Sequence, residues 1–202
     1  QGVWFMAVVI EHEKRRHEIL QKSLDVFIEE GYDDVTFQKI ADRCGITRTT
    51  LYIYFKNKQE IFLWSIKQFL GGVEMAIQEV IETESDSAET CLRKMLDVLV
   101  DAIEENHKLI KVLQIHLIQL EKSGVDTSDR VKHRVIRIRH ILNHIIIMGI
   151  RNHEFKDMNV ATANDLIYSL IEAAMFRVSV LSEKKVSEIR EVFNIAVDGF
   201  LA

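Results

Sequence analysis

The stretch FQKIADRCGITRTTLYIYFKNK, residues 37–58, joins two short helical patterns through a single glycine. The apolar residues of its first half recur at helical spacing and predict a helix of about two turns, from an N-cap at Thr36 to an end at Cys44. Gly45 can then adopt the positive φ that a sharp turn requires. The stretch therefore predicts two helices that cross steeply.

A second short helix is expected after this turn, with Thr47 as its N-cap and with Leu51 and Phe55 on its buried side. Polar and aromatic side chains occupy the other side of this helix. A helix this short buries too little surface for packing alone to account for them. These are the features of a helix-turn-helix, whose second helix enters the major groove of DNA. The side chains expected to reach phosphates and base edges are Arg48, Thr49, Thr50 and Tyr52.

Basic side chains gather around this stretch in a chain whose net charge is -5 at pH 7. A second basic cluster, residues 14–16, lies near the start of the first predicted helix. Local basic patches on an acidic protein are typical of a phosphate-binding surface. Solvated helix faces carry such runs too, so charge alone leaves both interpretations open. Within residues 36–58 the basic residues are Lys39, Arg43, Arg48, Lys56 and Lys58, against Asp42 alone.

The composition favours an all-α fold. The 202 residues include no proline and only eight glycines, and helix interiors exclude both residue types. Amphipathic periodicity predicts about nine helices in total, with Gly31 as the cap that ends the first. After the helix-turn-helix, helices are expected at about residues 58–83, 87–106, 107–122, 127–153, 160–182 and 186–201, with polar breaks at ETESDS, SGVDTSD and SEKK.

The sequence also indicates where the protein works. No apolar run approaches the roughly 18 residues that a membrane-spanning helix needs, and we expect no signal peptide. Two interpretations of residues 1–5 stay open, a natural start at Met6 and an apolar N-terminal arm that docks on the protein. Cys44 and Cys91 are too few for a disulfide framework, which favours a reducing cytoplasm.

The motif LYIYFKNKQEIF, residues 51–62, is similar to the pattern Leu-Tyr-x-x-Phe-x-x-Lys-x-x-Leu/Ile-Phe of the TetR family of transcriptional regulators. With it, about residues 15–62 resemble that family's DNA-binding domain. The resemblance implies a three-helix helix-turn-helix domain over residues 11–58 and a helical regulatory domain over residues 59–202. Carried over position by position, it implies phosphate contacts by Thr36 and Lys58, recognition-helix contacts by Thr47, Arg48, Thr49, Tyr52 and Tyr54, and a position close to the groove wall for Thr50.

The same resemblance implies a ligand pocket among the central helices of the regulatory domain. Pockets are mostly apolar with few polar groups, and the run ILNHIIIMGI favours a lipophilic ligand. Most of the candidate residues are equally expected in an ordinary core. The candidates are Trp64, Phe69, Met75, Met95, His116, Ile145, Met148, Tyr168, Met175 and Phe176.

The resemblance further implies that the last two helices pair with those of a second subunit in a four-helix homodimer interface. Two apolar stripes suit this role, and both suit the core of a single subunit equally well. They consist of Ile167, Leu170, Ala174, Val178 and Leu181 on one helix, and of Ile189, Val192, Phe193, Ala196 and Phe200 on the next.

A row of histidines on one predicted helix is a candidate metal site. His140 and His144 share one helical face, and His133 extends that face. No carboxylate or thiolate completes a ligand set there, and zinc usually takes three or four protein ligands. We therefore expect no metal and no cofactor, and we interpret the row as solvated or part of an interface.

Two other classes of function compete with DNA binding. An enzyme is disfavoured because the chain has no GxSxG, GxGxxG, GxxxxGK[ST] or HExxH motif. A helical protein-interaction adaptor is the other alternative. Our prediction is a non-enzymatic, ligand-responsive regulator that binds a palindromic operator as a homodimer. We expect it to be a repressor that a small, apolar molecule releases from DNA.

Overall fold

A computed structural model describes the backbone of residues 2–83, 87–124, 128–181 and 186–202. Within these residues the protein is all-α, as predicted, apart from one isolated bridge between Phe155 and Leu201. The side chains of residues 2–9, 82–83, 128–135 and 186–187 are outside the description. The helices are α1 Gly2–Glu30, α2 Phe37–Cys44, α3 Arg48–Tyr54, α4 Lys58–Thr83, α5 Ala88–Glu105, α6 His107–Lys122, α7 Ser128–Arg151, α8 Val160–Ser179 and α9 Val186–Asp198.

The predicted helix bounds agree closely with the observed ones, except at the N-terminus. The first helix was expected to begin near residue 14, whereas α1 begins at Gly2. Its early start has a simple reason, because no proline or further glycine interrupts residues 3–30. The breaks predicted at ETESDS, SGVDTSD and SEKK lie largely outside the described residues.

The chain divides into two compact units, Gln1–Leu70 and Gly71–Ala202. This boundary lies within α4, further along the chain than the border expected between residues 58 and 59. Gly71 and Gly72 follow the boundary directly, and α4 remains helical through both. A Cβ atom at either glycine would meet no atom of the described residues within 4 Å. The two adjacent glycines therefore neither mark the end of a helix nor make room for a closely packed neighbour.

The N-terminal unit has its own core. Phe27 of α1 packs edge-on against Phe62 of α4, with ring centroids 4.8 Å apart. The Ser65 hydroxyl on α4 donates a hydrogen bond to the carbonyl oxygen of Leu20 on α1, at 3.0 Å. Together these contacts hold α1 and α4 as a frame for the two short helices. The other fully buried apolar residues of this unit include Ile19, Val26, Ile40, Ala41, Leu51, Phe55, Ile61 and Ile66.

The C-terminal unit is built around α5, which contributes buried residues along its length, including Leu92 and Met95. Charged pairs also join α5 to α9. Arg93 on α5 donates to Asp198 on α9, and Arg190 on α9 donates to Asp97 and Asp101 on α5. Each arginine reaches from its own helix to acidic side chains on the other, so these ion pairs join α5 to α9.

Two sets of contacts hold the connection between α7 and α8, one to α7 and one to the start of α5. Gly149 lies so close to the Phe155 ring that a Cβ atom there would be 2.2 Å from Phe155 Cδ2. Glu154 accepts hydrogen bonds from the Ser87 hydroxyl at 3.0 Å and the Glu89 amide at 3.1 Å. Burial alone would raise the pKa of Glu154, but hydrogen bonds at the start of α5 outweigh it and lower the pKa below its ordinary value. The connection therefore also caps α5.

Candidate nucleic-acid interface

The turn between α2 and α3 forms as the sequence predicts. The Thr36 hydroxyl caps α2 by accepting from the Lys39 amide at 3.2 Å. Gly45 adopts the left-handed conformation, with φ 67°. Thr47 then caps α3 by accepting from the Thr50 amide at 3.1 Å. Both predicted N-caps and the predicted turn are confirmed, and they fix the direction in which α3 leaves α2.

One side of α3 faces the core of the N-terminal unit and the other faces solvent. Leu51, together with Phe55 just past the helix end, is fully buried, as predicted. Tyr52 packs against Phe37 of α2, with ring centroids 4.6 Å apart, yet remains 50% exposed. The exposed Arg48 donates a hydrogen bond from Nη2 to the Tyr52 hydroxyl at 3.2 Å. A guanidinium and a phenol are thus held side by side on the outer surface of α3.

The remaining predicted contacts lie around the same helix. Thr49 is exposed, and Thr50 is half-buried with its hydroxyl 2.8 Å from that of Thr47. Tyr54 is also half-buried, and its ring stacks on the exposed His12 of α1 at 4.7 Å between centroids. The structure therefore gathers all six of the α3-region candidates within one short segment.

Ile53 is a residue of this surface that the sequence interpretation missed. It is 69% exposed, more than any other large hydrophobic residue of α3. The signal was present in the sequence, because a residue two positions after the buried Leu51 lies on the far side of a helix. The signal was easily overlooked because Tyr52 and Tyr54, on either side of Ile53, are the more obvious DNA contacts.

The basic patch is smaller than its residue count suggested. Lys39 pairs with Glu30, and Arg43 forms a two-pronged pair with Glu29. The hydrogen bond from Arg43 lowers the pKa of Glu29. Both acids lie in the last turns of α1, so two of the five predicted cations are already matched by carboxylates. Arg48 has no carboxylate partner among the described side chains.

Lys58 has a structural role besides the phosphate contact that was predicted for it. Its ammonium donates to the carbonyl oxygens of Tyr32 at 2.8 Å and Asp33 at 3.1 Å, and it lies 4.6 Å from the Tyr32 ring centroid. Lys58 therefore ties the start of α4 to the turn after α1. An ammonium has three donors, and these bonds use two of them.

The predicted ligand-pocket residues do not form one group. Trp64 and Phe69 belong to the N-terminal unit, where the Trp64 ring lies 4.3 Å from the Arg16 guanidinium and 4.5 Å from the Lys67 ammonium. The other candidates belong to the C-terminal unit. Of these, Met95 and Ile145 are fully buried, His116 is buried, Met148 and Met175 pack against the core, Tyr168 faces Arg139, Phe176 is half-exposed, and Met75 is largely exposed.

The predicted dimer stripes stay a prediction, and the structure places six of their ten residues in the core of the single chain. Leu181 alone among them is more than half exposed, whereas Leu170, Val192 and Ala196 are partly exposed. The buried members are Ile167, Ala174, Val178, Ile189, Phe193 and Phe200. Among the described side chains, the exposed large apolar residues of α8, α9 and the residues just after α8 are Leu166, Phe176, Val180 and Ile195, together with Leu181 and Val192 of the stripes.

Other site types find little support in the described residues. His140 and His144 are both exposed on α7, and the side chain of His133 is outside the described set. No group of three or more potential metal ligands occurs among the described residues. Among the helices described, none is both long enough and apolar enough to cross a membrane.

Comparison with known proteins identifies the N-terminal unit. Residues 19–63 match the family model of bacterial regulatory proteins, tetR family, and this span contains α2, α3 and their supports in α1 and α4. Residues 19–63 therefore form a DNA-binding domain of the TetR family. This domain is of the helix-turn-helix type that DNA-binding transcriptional regulators carry.

Similar TetR-family proteins extend the likeness over most of the chain. The fatty acid metabolism regulator protein of Bacillus subtilis is 26% identical over 156 residues, 77% of this chain and 78% of that protein. The HTH-type transcriptional repressor KstR2 of Mycolicibacterium smegmatis is 28% identical over 158 residues, 78% of this chain and 74% of its own. The structure of FadR from Bacillus subtilis in complex with stearoyl-CoA matches with a TM-score of 0.76 at 26% identity, covering 91% of this chain and 98% of that one.

Proposed function

We propose that this TetR-family protein is a repressor that binds a palindromic operator as a homodimer and leaves it when a long-chain apolar ligand binds. The observation that carries the DNA-binding part is the outer surface of α3. There Arg48, Thr49 and Tyr52 are exposed on a helix that is anchored through Leu51. Such a helix can enter a major groove without losing its own packing.

The contacts divide by chemistry into two kinds. Arg48 can pair with the O6 and N7 acceptors of guanine, which is the commonest specific contact in the major groove. Thr36, Thr47, Tyr54 and Lys58 lie at helix ends beside α3, where hydroxyl and ammonium groups suit phosphate oxygens. We propose that the first kind reads sequence and that the second kind positions the protein.

Exposed apolar residues on the last two helices support the proposed homodimer. Phe176 on α8 and Ile195 on α9 are 50% and 64% exposed, although neighbours on both helices are buried. Two copies of one surface pair about a two-fold axis, and a two-fold dimer presents two copies of α3 to the DNA. A palindromic site with half-sites about one helical turn or more apart is the expected partner.

The proposed effector is a fatty acyl-CoA or a similar molecule with a long apolar chain. The matching FadR structure contains stearoyl-CoA, and the C-terminal unit here offers an apolar interior. Met148 and Met175 lie at the edge of that interior, and methionine side chains adapt to irregular apolar surfaces. We propose that these residues adjust around the acyl chain.

Selection of bound duplexes from a random pool tests the DNA-binding proposal. The full chain should enrich a palindrome, and the selected duplex should compete at least tenfold better than a scrambled duplex of the same composition. Failure to enrich any sequence at about 100 mM salt would contradict sequence-specific DNA binding, since salt weakens non-specific binding to phosphates. Transcription from a promoter that overlaps the site should then fall when the protein is added, whereas a rise would contradict repression.

A titration series tests the effector. Stearoyl-CoA should release the selected duplex at micromolar concentration, whereas coenzyme A alone should not. Octanoyl-CoA should act more weakly because a shorter chain buries less apolar surface. Equal release by coenzyme A and stearoyl-CoA would contradict an apolar effector, and no release by either would remove acyl-CoA as the ligand.

A further inference from the structure

The outermost ridge of α3 carries an apolar side chain. Successive residues of a helix are rotated by about 100°, which places Thr49 and Ile53 nearly opposite the buried Leu51 and Phe55. Thr49 and Ile53 are four positions apart, so they lie one above the other. Arg48 and Tyr52 flank this ridge on one side, and Thr50 and Tyr54 flank it on the other.

Contacts within the protein explain the neighbours of Ile53 but not Ile53 itself. Tyr52 packs against Phe37, and Tyr54 stacks on His12. Ile53 is 69% exposed between them. A single exposed isoleucine is common on protein surfaces, so its place on the helix decides its meaning. Ile53 lies on the ridge that would enter a groove most deeply, where base edges rather than phosphates are found.

We propose that Ile53 determines part of the DNA specificity by contacting the C5-methyl group of one thymine in each half-site. This inference rests on the proposed operator binding and names a base that α3 reads. The thymine methyl is the apolar group that the four bases display in the major groove. A β-branched side chain suits such a contact, because its stiff χ1 presents the methyl groups in a fixed direction.

Deoxyuridine provides a test that leaves the protein unchanged, since it differs from thymidine only by the missing methyl group. Each thymine of one selected half-site is replaced in turn, and the dissociation constant is measured at constant salt. One replacement should weaken binding about fourfold, the factor that corresponds to ~0.8 kcal/mol for one buried methyl group. A half-site with no thymine, or no replacement that weakens binding, would overturn the proposal while leaving operator binding intact.

Ile53→Ala completes the cycle. The variant should bind the thymine duplex about as weakly as the parent binds the deoxyuridine duplex, and it should show no further loss at that one position. Ile118→Ala on α6 is the matched control, since Ile118 is 53% exposed and lies outside the N-terminal unit. The Ile118→Ala protein should still bind the deoxyuridine duplex about fourfold more weakly than the thymine duplex. An Ile53→Ala protein with the parent's deoxyuridine profile would assign the methyl contact to another residue, and a parent chain that selects no duplex would overturn both proposals.

Discussion

Tyr52 of the recognition helix α3 packs against Phe37 of α2, with ring centroids 4.6 Å apart, and it accepts a hydrogen bond from Arg48 at 3.2 Å. The ring therefore helps to set the angle between the two helices, while the hydroxyl helps to hold the guanidinium. Folding and the proposed DNA recognition therefore involve different atoms of one side chain.

Replacement of Tyr52 by phenylalanine or alanine should separate these two roles. Tyr52→Phe keeps the ring contact, so the free energy of unfolding should change by less than about 0.5 kcal/mol. Its operator affinity should fall, because Arg48 loses a positioning partner. Tyr52→Ala should lower both the stability and the affinity. Urea unfolding and fluorescence anisotropy measure the two quantities, and a Tyr52→Phe protein with the parent's affinity would remove the hydroxyl from recognition.

The local structure of the interface was predictable because it depends on near neighbours in the sequence. The caps at Thr36 and Thr47 and the turn at Gly45 involve residues within about four positions of each other. The pairing of Arg43 with Glu29 was not predictable in this way, since it joins residues on separate helices. Spacing reports which face a residue occupies, but not which charged group another helix brings to it.

The dimer stripes show the same limit. Phe193 and Ile195 are two positions apart on α9 and similar in hydropathy, yet Phe193 is buried and Ile195 is 64% exposed. Periodicity included Phe193 in a stripe and left Ile195 out, but it could not tell whether that stripe meets the chain's own core or another subunit. Only the packing of α9 against α5 and α8 makes that distinction.

Charges placed at these two positions should therefore have different effects. Ile195→Glu should leave the chain folded and convert the dimer to monomers with weaker operator binding, because it places a carboxylate in the proposed interface. Phe193→Glu should unfold the chain instead, since an unpaired charge would be buried in the core. Ile118→Glu on α6 is the surface control. Circular dichroism and sedimentation distinguish these outcomes, and an unchanged dimer in Ile195→Glu would move the interface elsewhere.

Gly149 should be the glycine least tolerant of a side chain in its unit. A Cβ atom there would lie 2.2 to 2.7 Å from three atoms of the Phe155 ring. Gly149→Ala should lower the free energy of unfolding by about 1–3 kcal/mol through overpacking. Gly72→Ala is the matched control, because its Cβ atom would meet no described neighbour within 4 Å and alanine favours a helix by about 1 kcal/mol relative to glycine. Equal stability of both variants in urea would contradict this packing.

The glycine pair at the unit boundary should affect the response to ligand. Gly71 and Gly72 weaken α4 by about 1–2 kcal/mol relative to alanine, and bendable points are often found at such pairs. We expect the double replacement with alanine to keep the chain folded and more stable but to reduce the effect of stearoyl-CoA on operator affinity. Gly72→Ala alone should have a smaller effect. A double variant that is released by ligand as readily as the parent would exclude a hinge in α4.

Arg48 gives the most direct test of the claim that the outer surface of α3 reads DNA sequence. The measurement compares the affinities of the parent and of Arg48→Ala for the selected duplex and for random duplex. If Arg48 pairs with a guanine, its loss should cost about 1–3 kcal/mol more on the selected duplex. Lys58→Ala is the comparison, and it should weaken both duplexes alike and reduce the salt slope by about 1. An equal loss on both duplexes for Arg48→Ala would contradict the account.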